Sequence, residues 1–159
     1  MNPNKLMRFL AAVLTTLLLT SCALPSFLSF KGTRLNWDEV ELSAALGANQ
    51  NSPVAIDIVL VLDETMIDRL SELTAAKWFG ARADLLKTYP KALAYRSWEL
   101  VPEQMLRIPG ASFGSPRVAA VFIFANYITP GSHRARVDEL KNPIIVRLEP
   151  QGFDVSSAR

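Results

Sequence analysis

The chain has 159 residues and a single cysteine, which allows one domain with a proper core and excludes an internal disulfide. Its 17 Lys and Arg against 15 Asp and Glu give a formal net charge of +2, and Lys5 and Arg8, near the amino terminus, account for the surplus. Without them the chain is electrically balanced, so it offers no field to draw it to nucleic acid.

Lys5 and Arg8 precede an apolar run from Phe9 to Leu19 that only Thr15 and Thr16 interrupt. Cations followed by such a run mark a secretory signal, and the run is too short for a membrane span of about 20 residues. It ends in Leu19-Thr20-Ser21-Cys22, which resembles the bacterial lipobox: an aliphatic residue, two small ones and a cysteine whose sulfur takes diacylglycerol. The expectation is a signal peptide over 1–21, cleavage before Cys22 and acyl chains on Cys22. Ala23 stands where aspartate commonly retains lipoproteins at the inner membrane, which by analogy favours the outer one. Residues 22–37, with Pro25, Ser26, Ser29 and Gly32, read as a lipidated tether. The sequence leaves open whether Phe27, Leu28 and Phe30 meet the membrane or the domain.

The domain is expected over 38–159. Between Glu39 and Leu46, Val40, Leu42, Ala44 and Leu46 alternate with a largely polar set, the period of a half-buried strand. The stretch Gly47, Ala48, Asn49, Gln50, Asn51 and Ser52 has no large apolar side chain and reads as an exposed loop. Val54 to Leu62 is a β-branched run with Asp57 as its one polar residue, the pattern of a central strand buried on both faces. Asp63 takes the place of a helix N-cap, and Met66, Ile67, Leu70 and Leu73 carry helical spacing to about Ala76. Trp78, Phe79 and Gly80 are expected to interrupt or pivot that helix before a second one over Ala81 to Thr88, so that 63–89 forms a helical insertion. Short strands follow at Leu93–Val101, Gln104–Ile108, Val118–Ala125, Ile144–Leu148 and Phe153–Val155, separated by Pro- and Gly-bearing turns. The fold class expected is all-β with a helical insertion, a β-sandwich of about seven or eight strands.

Candidate chemistry is sparse. His133, the single histidine, lies in a turn composition and is expected to be a solvated loop residue, so a histidine-based metal cluster is not available. Cys22 is committed to lipid, no Gly-x-Ser-x-Gly elbow occurs beside Ser132, and no phosphate-cradling glycine loop exists. The acidic pairs Asp38-Glu39 and Asp63-Glu64 read as strand-edge and helix-start charges. Neither catalysis, a metal, a cofactor nor a small-molecule substrate is expected. A secretion-complex anchor and a stand-alone periplasmic binding module, such as an inhibitor or apolar-ligand carrier, both remain open.

Several landmarks resemble one family. The lipobox, Ser52-Pro53-Val54 opening an apolar strand, Trp78-Phe79 in a helical stretch and Trp98-Glu99-Leu100-Val101-Pro102-Glu103-Gln104 look like the outer-membrane lipoprotein of type VI secretion systems, the TssJ family. Val118–Tyr127, Arg134–Val137 and Ile144–Leu148 are similar to its closing strands. Glu103 departs from the family pattern, which often has glycine there, and Leu60-Val61-Leu62 replaces a strand end that often carries tyrosine and glutamine. The resemblance implies a transthyretin-like sandwich, lipid-anchored in the outer membrane and facing the periplasm. It implies that the sandwich binds the periplasmic domain of an inner-membrane secretion component. It also implies that the loop between the first two strands, here Gly47 to Ser52, makes the contact.

Overall fold

The first clear strand shows how the core is built: in Glu39–Ala44, Val40, Leu42 and Ala44 are buried while Glu39, Glu41 and Ser43 stay partly exposed. Such alternation needs one covered face, and a second sheet supplies the cover. The computed structural model describes residues 32–157, so the expected signal peptide 1–21 and Cys22 lie outside the described residues. In chain order the strands are β1 (Thr33–Arg34), β2 (Glu39–Ala44), β3 (Val54–Val61), β4 (Leu93–Leu100) and β5 (Met105–Pro109), then β6 (Arg117–Val118), β7 (Ala120–Asn126), β8 (Arg134–Val137), β9 (Ile144–Leu148) and β10 (Phe153–Ser157). Two four-stranded sheets, β10-β9-β2-β5 and β4-β3-β7-β8, face each other, and β1-β6 forms a short ribbon. The sandwich expected from the sequence is thus present, with eight strands in its two main sheets. All ladders are antiparallel except β2 with β9, which is parallel and pairs Val40 with Ile144 through Ala44 with Leu148.

The strand β3 is apolar throughout because both its faces are covered. Val54, Ile56, Ile58 and Leu60 point into the sandwich, whereas Val59 and Val61 join Phe122 and Phe124 of β7 beneath the helices. Asp63 caps the helical segment as expected, its carboxylate accepting from Thr65 N–H at 3.0 Å. A 3-10 turn over Glu64–Met66 leads into α1 (Ile67–Ser71), and α2 spans Ala75–Thr88.

The structure corrects the expected helix break. The chain breaks at Glu72–Thr74, where the Thr74 hydroxyl accepts from Lys77 N–H at 3.3 Å, and Trp78 to Gly80 continue inside α2. A mid-helix glycine costs about 1 kcal/mol, and the burial of Trp78, its indole stacked 5.1 Å from Phe124, outweighs that. A second correction concerns the tether. Residues 32–37 were expected to lie before the domain, yet β1 pairs with β6, and Leu35 and Trp37 are buried in the sandwich core.

Candidate functional site

The loop Gly47–Ser52 connects β2 to β3 at one end of the sandwich. Three other connections meet there: the β4–β5 turn, whose Glu103 N–H donates to Ala44 O at 2.9 Å; the β7–β8 loop; and the β9–β10 turn, next to Leu148, whose carbonyl accepts from Ala45 N–H at 2.8 Å. The described chain starts at the other end, where Leu35 N–H bonds Pro116 O and Asn36 N–H bonds Leu140 O.

The loop itself is a turn of left-handed backbone. Gly47 starts it at φ 76, and Asn49, Gln50 and Asn51 follow at φ 48, 56 and 61. Glycine and, less freely, asparagine adopt this region, whereas other L-residues lose about 1–2 kcal/mol in it. Gln50 is therefore held against its preference by the ends of the turn, Asn51 N–H to Gly47 O and Ser52 N–H to Ala48 O, both 3.2 Å. Glu103 at φ 65 and His133 at φ 40 are left-handed in the neighbouring loops of the same pole. The position of Glu103 is the one where the resemblance expects glycine, and its backbone shows why glycine suits it. Five of the six left-handed residues other than glycine among the described residues lie at this pole, and the sixth, Ser115 at φ 48, lies at the other end.

The residues expected to contact a partner are not equally available. Gln50 and Asn51 are exposed, Gly47 and Ser52 half-buried, and Ala48 and Asn49 buried. Asn49 belongs to the stretch expected to be an exposed loop, and for this residue that expectation is corrected. Its amide donates to Pro53 O at 2.8 Å and accepts from Ile128 N–H at 2.7 Å, tying the first loop to the β7–β8 loop. Leu46 is corrected in the opposite sense: it continues the apolar alternation of β2, but the strand ends at Ala44 and Leu46 projects from the pole 73 % exposed.

His133 is not a freely solvated loop residue. Its ring stacks on Tyr127 at 4.7 Å, and Nε2 lies 2.7 Å from Thr129 O. Tyr127, buried beside it, donates its hydroxyl to Gly152 O and so clamps the β9–β10 turn. Burial pushes the Tyr127 phenol up to about 12, against about 10 in an unfolded chain. Because the folded value is the higher one, its stabilisation is complete below about pH 10 and is lost as pH rises toward the folded value. Thermal melts over this alkaline range should show Tm falling more steeply for the wild type than for Tyr127→Phe. Parallel profiles would exclude this phenol as the cause.

Beneath the helices lies a polar cluster that sequence reasoning did not assemble. Asp57, fully buried in β3, accepts from Trp78 Nε1 at 2.8 Å, from Arg82 at 2.6 Å and from the Ser97 hydroxyl. The Arg82 guanidinium also sits 4.8 Å from the Phe79 ring and 5.4 Å from the Tyr95 ring. All donors of the cluster converge on one carboxylate and leave no free base or nucleophile, so its role is to pin α2 to the sheet. A lone Asp in a doubly covered strand demands such partners, and Trp78 and Arg82 stand one helical turn apart. That pairing was the available signal. Among the described residues, no group of three or more His, Cys, Asp and Glu could hold a metal ion.

The two facing sheets, the helices over one outer face and the four connections gathered at one end define a β-sandwich with a helical insertion. Three solved structures share the architecture. The type VI secretion lipoprotein TssJ1 from Pseudomonas aeruginosa matches with a TM-score of 0.56 and 16 % identity, over 80 % of this chain and 98 % of that one. The Serratia marcescens Lip protein, a membrane-bound component of the type VI secretion system, matches at 0.51 and 13 %, over 76 % and 96 %. A chain of a type VI membrane complex matches at 0.55 and 15 %, over 74 % and 95 %. No family model and no curated protein matches in sequence. The chain has the fold of the TssJ lipoproteins.

Proposed function

We propose that this protein is a lipoprotein of a type VI secretion membrane complex, anchored in the outer membrane through acyl chains on Cys22. Its loop pole then holds the periplasmic domain of an inner-membrane component. The observation that carries the reading is the polarity of the sandwich: the amino-terminal strand lies at one end and the loop Gly47–Ser52 at the other. β2 runs from the first end to the second, about 20 Å at 3.3 Å per residue. Ten peptide links join Cys22 to Gly32 and reach at most about 36 Å. In this reading the anchor joins the sandwich at the end opposite the loops, which leaves the loop end free to meet a partner in the periplasm. The shared fold with type VI lipoproteins supports the same reading.

The deciding measurement is a titration of the acylated protein with the periplasmic domain of that inner-membrane component. Replacing the exposed Gln50 and Asn51 by alanine should leave the domain folded and lower its stability by about 1–2 kcal/mol, the cost of alanine in the left-handed backbone at Asn51. Affinity should fall by about 1 to 3 kcal/mol if groups on the partner lose their bonds. No binding by the wild type would overturn the proposal. For the anchor, Cys22→Ser should give a precursor that takes up no labelled fatty acid. Equal acylation of mutant and wild type would remove the lipid from the reading.

A further inference from the structure

We infer that the segment just before the described residues, Leu24 to Phe30, docks on its own domain by seating one phenylalanine ring, Phe27 or Phe30, in an apolar cleft at the amino-terminal end of the sandwich. The ring is then held by the protein and not by the membrane interface, the choice that the sequence left open.

The cleft measures about 140 Å³, and Leu60, Leu62, Ala94, Phe113 and Pro116 make its apolar walls. Ala94 stands opposite Leu60 in the β3–β4 ladder, and Leu62, just past the end of β3, is 38 % exposed. An apolar space of about 150 Å³ holds one benzene-sized ring, so the cleft suits a single phenyl group. Arg96 also lines it, and a guanidinium is drawn to the face of an aromatic ring, which favours phenylalanine over leucine as the occupant.

The place where the chain enters selects that occupant. Leu35 N–H bonds Pro116 O, so the entering strand runs beside one wall of the cleft. Ala119 N–H donates to Val61 O at 2.6 Å, next to Leu62 in another wall. Gly32 lies between these points, so close to Val118 that a Cβ on it would stand 2.8 Å from Val118 O. Val118 is two residues from Pro116, about 7 Å along a strand. Phe30 and Phe27 are two and five links before Gly32, which reach at most about 7 Å and 18 Å. Residues 23–30 carry no charge and include Leu24, Phe27, Leu28 and Phe30, side chains that gain by leaving water. A ring on so short a link has an effective concentration of roughly millimolar, which places it ahead of a second copy or a free ligand for the same cleft.

The test places 4-fluorophenylalanine at Phe27 or at Phe30 of the full chain in phosphatidylethanolamine and phosphatidylglycerol nanodiscs, and reads each fluorine by nuclear magnetic resonance. At least one resonance should stand away from its position in the urea-unfolded chain and stay sharp when a nitroxide is carried on the lipid acyl chains. Leu62→Glu, which charges the cleft, should lower the docked fraction about tenfold, the shift that a lost apolar seat implies. Ala94→Leu, which fills the cleft without charge, should displace the ring as well and keeps the test valid if Leu62→Glu does not fold. Broadening of both fluorines by the lipid nitroxide would assign the rings to the membrane and overturn the inference. Two resonances at the unfolded position, a resonance that depends on protein concentration, or one that neither cleft variant moves would overturn it too. No outcome involves the inner-membrane component, so the docking reading above stands or falls separately.

Discussion

Trp78→Ala should be among the most damaging single changes in this domain, leaving much of the population unfolded. The indole is fully buried, stacked on Phe124 and edge-on to Tyr95 at 6.0 Å, and its N–H is one of the donors that satisfy the buried carboxylate of Asp57. Emptying such a site costs about 3–5 kcal/mol, and a buried acceptor short of a donor adds about 1–3 kcal/mol. A domain of ordinary stability has only about 5–15 kcal/mol in hand. Trp78→Phe separates the two contributions, because the ring still fills most of the space while the bond to Asp57 is gone. Urea denaturation followed by circular dichroism should place Trp78→Phe between wild type and Trp78→Ala. If both variants lose the same stability, the hydrogen bond rather than packing holds α2 on the sheet.

The second large effect is expected at Asn49, and it differs in kind from that at its neighbours. Asn49→Ala frees Pro53 O and Ile128 N–H together and places a residue with Cβ but no compensating bond at φ 48. The combined loss should be about 2–3 kcal/mol, well above the near-neutral Gln50→Ala. Partner affinity should fall as well, because the tie between the β2–β3 and β7–β8 loops is cut. Asn49→Gly distinguishes the causes: glycine accepts the left-handed backbone but makes neither bond. If glycine restores wild-type stability, backbone strain and not the two hydrogen bonds accounts for the effect.

Much of the fold could be read from local pattern. The alternation in Glu39–Ala44, the unbroken apolar run of β3, the Asp63 cap and the Pro- and Gly-marked turns each report a local preference, and local preference is what periodicity records. Where a local signal competed with a distant contact, the distant contact won. Gly80 suggested a pivot, but Trp78 is fixed by Asp57 and Phe124, which stand far away in the chain. Residues 33–37 looked like linker, yet Trp37 donates its indole N–H to Glu139 O at 2.9 Å, across about a hundred residues.

The candidate site divides in the same way. The sequence by itself determined the order of parts: a cationic and apolar stretch that ends at Cys22, the sandwich strands, the helical cover and a polar loop between the first two long strands. It also determined that one carboxylate, Asp57, had to find partners in a buried strand, because an unpaired charge there is too costly to leave. Only the tertiary structure decided which partners those were. It also decided that β2 lies parallel to β9, so that four connections from distant stretches of chain meet at one end of the sandwich. That meeting turns Asn49 inward, because its amide can bridge two loops, and leaves Leu46 outside, because the core ends at Ala44 and nothing lies beyond it. Burial depends on what the rest of the chain brings alongside, and no window of local sequence contains that information.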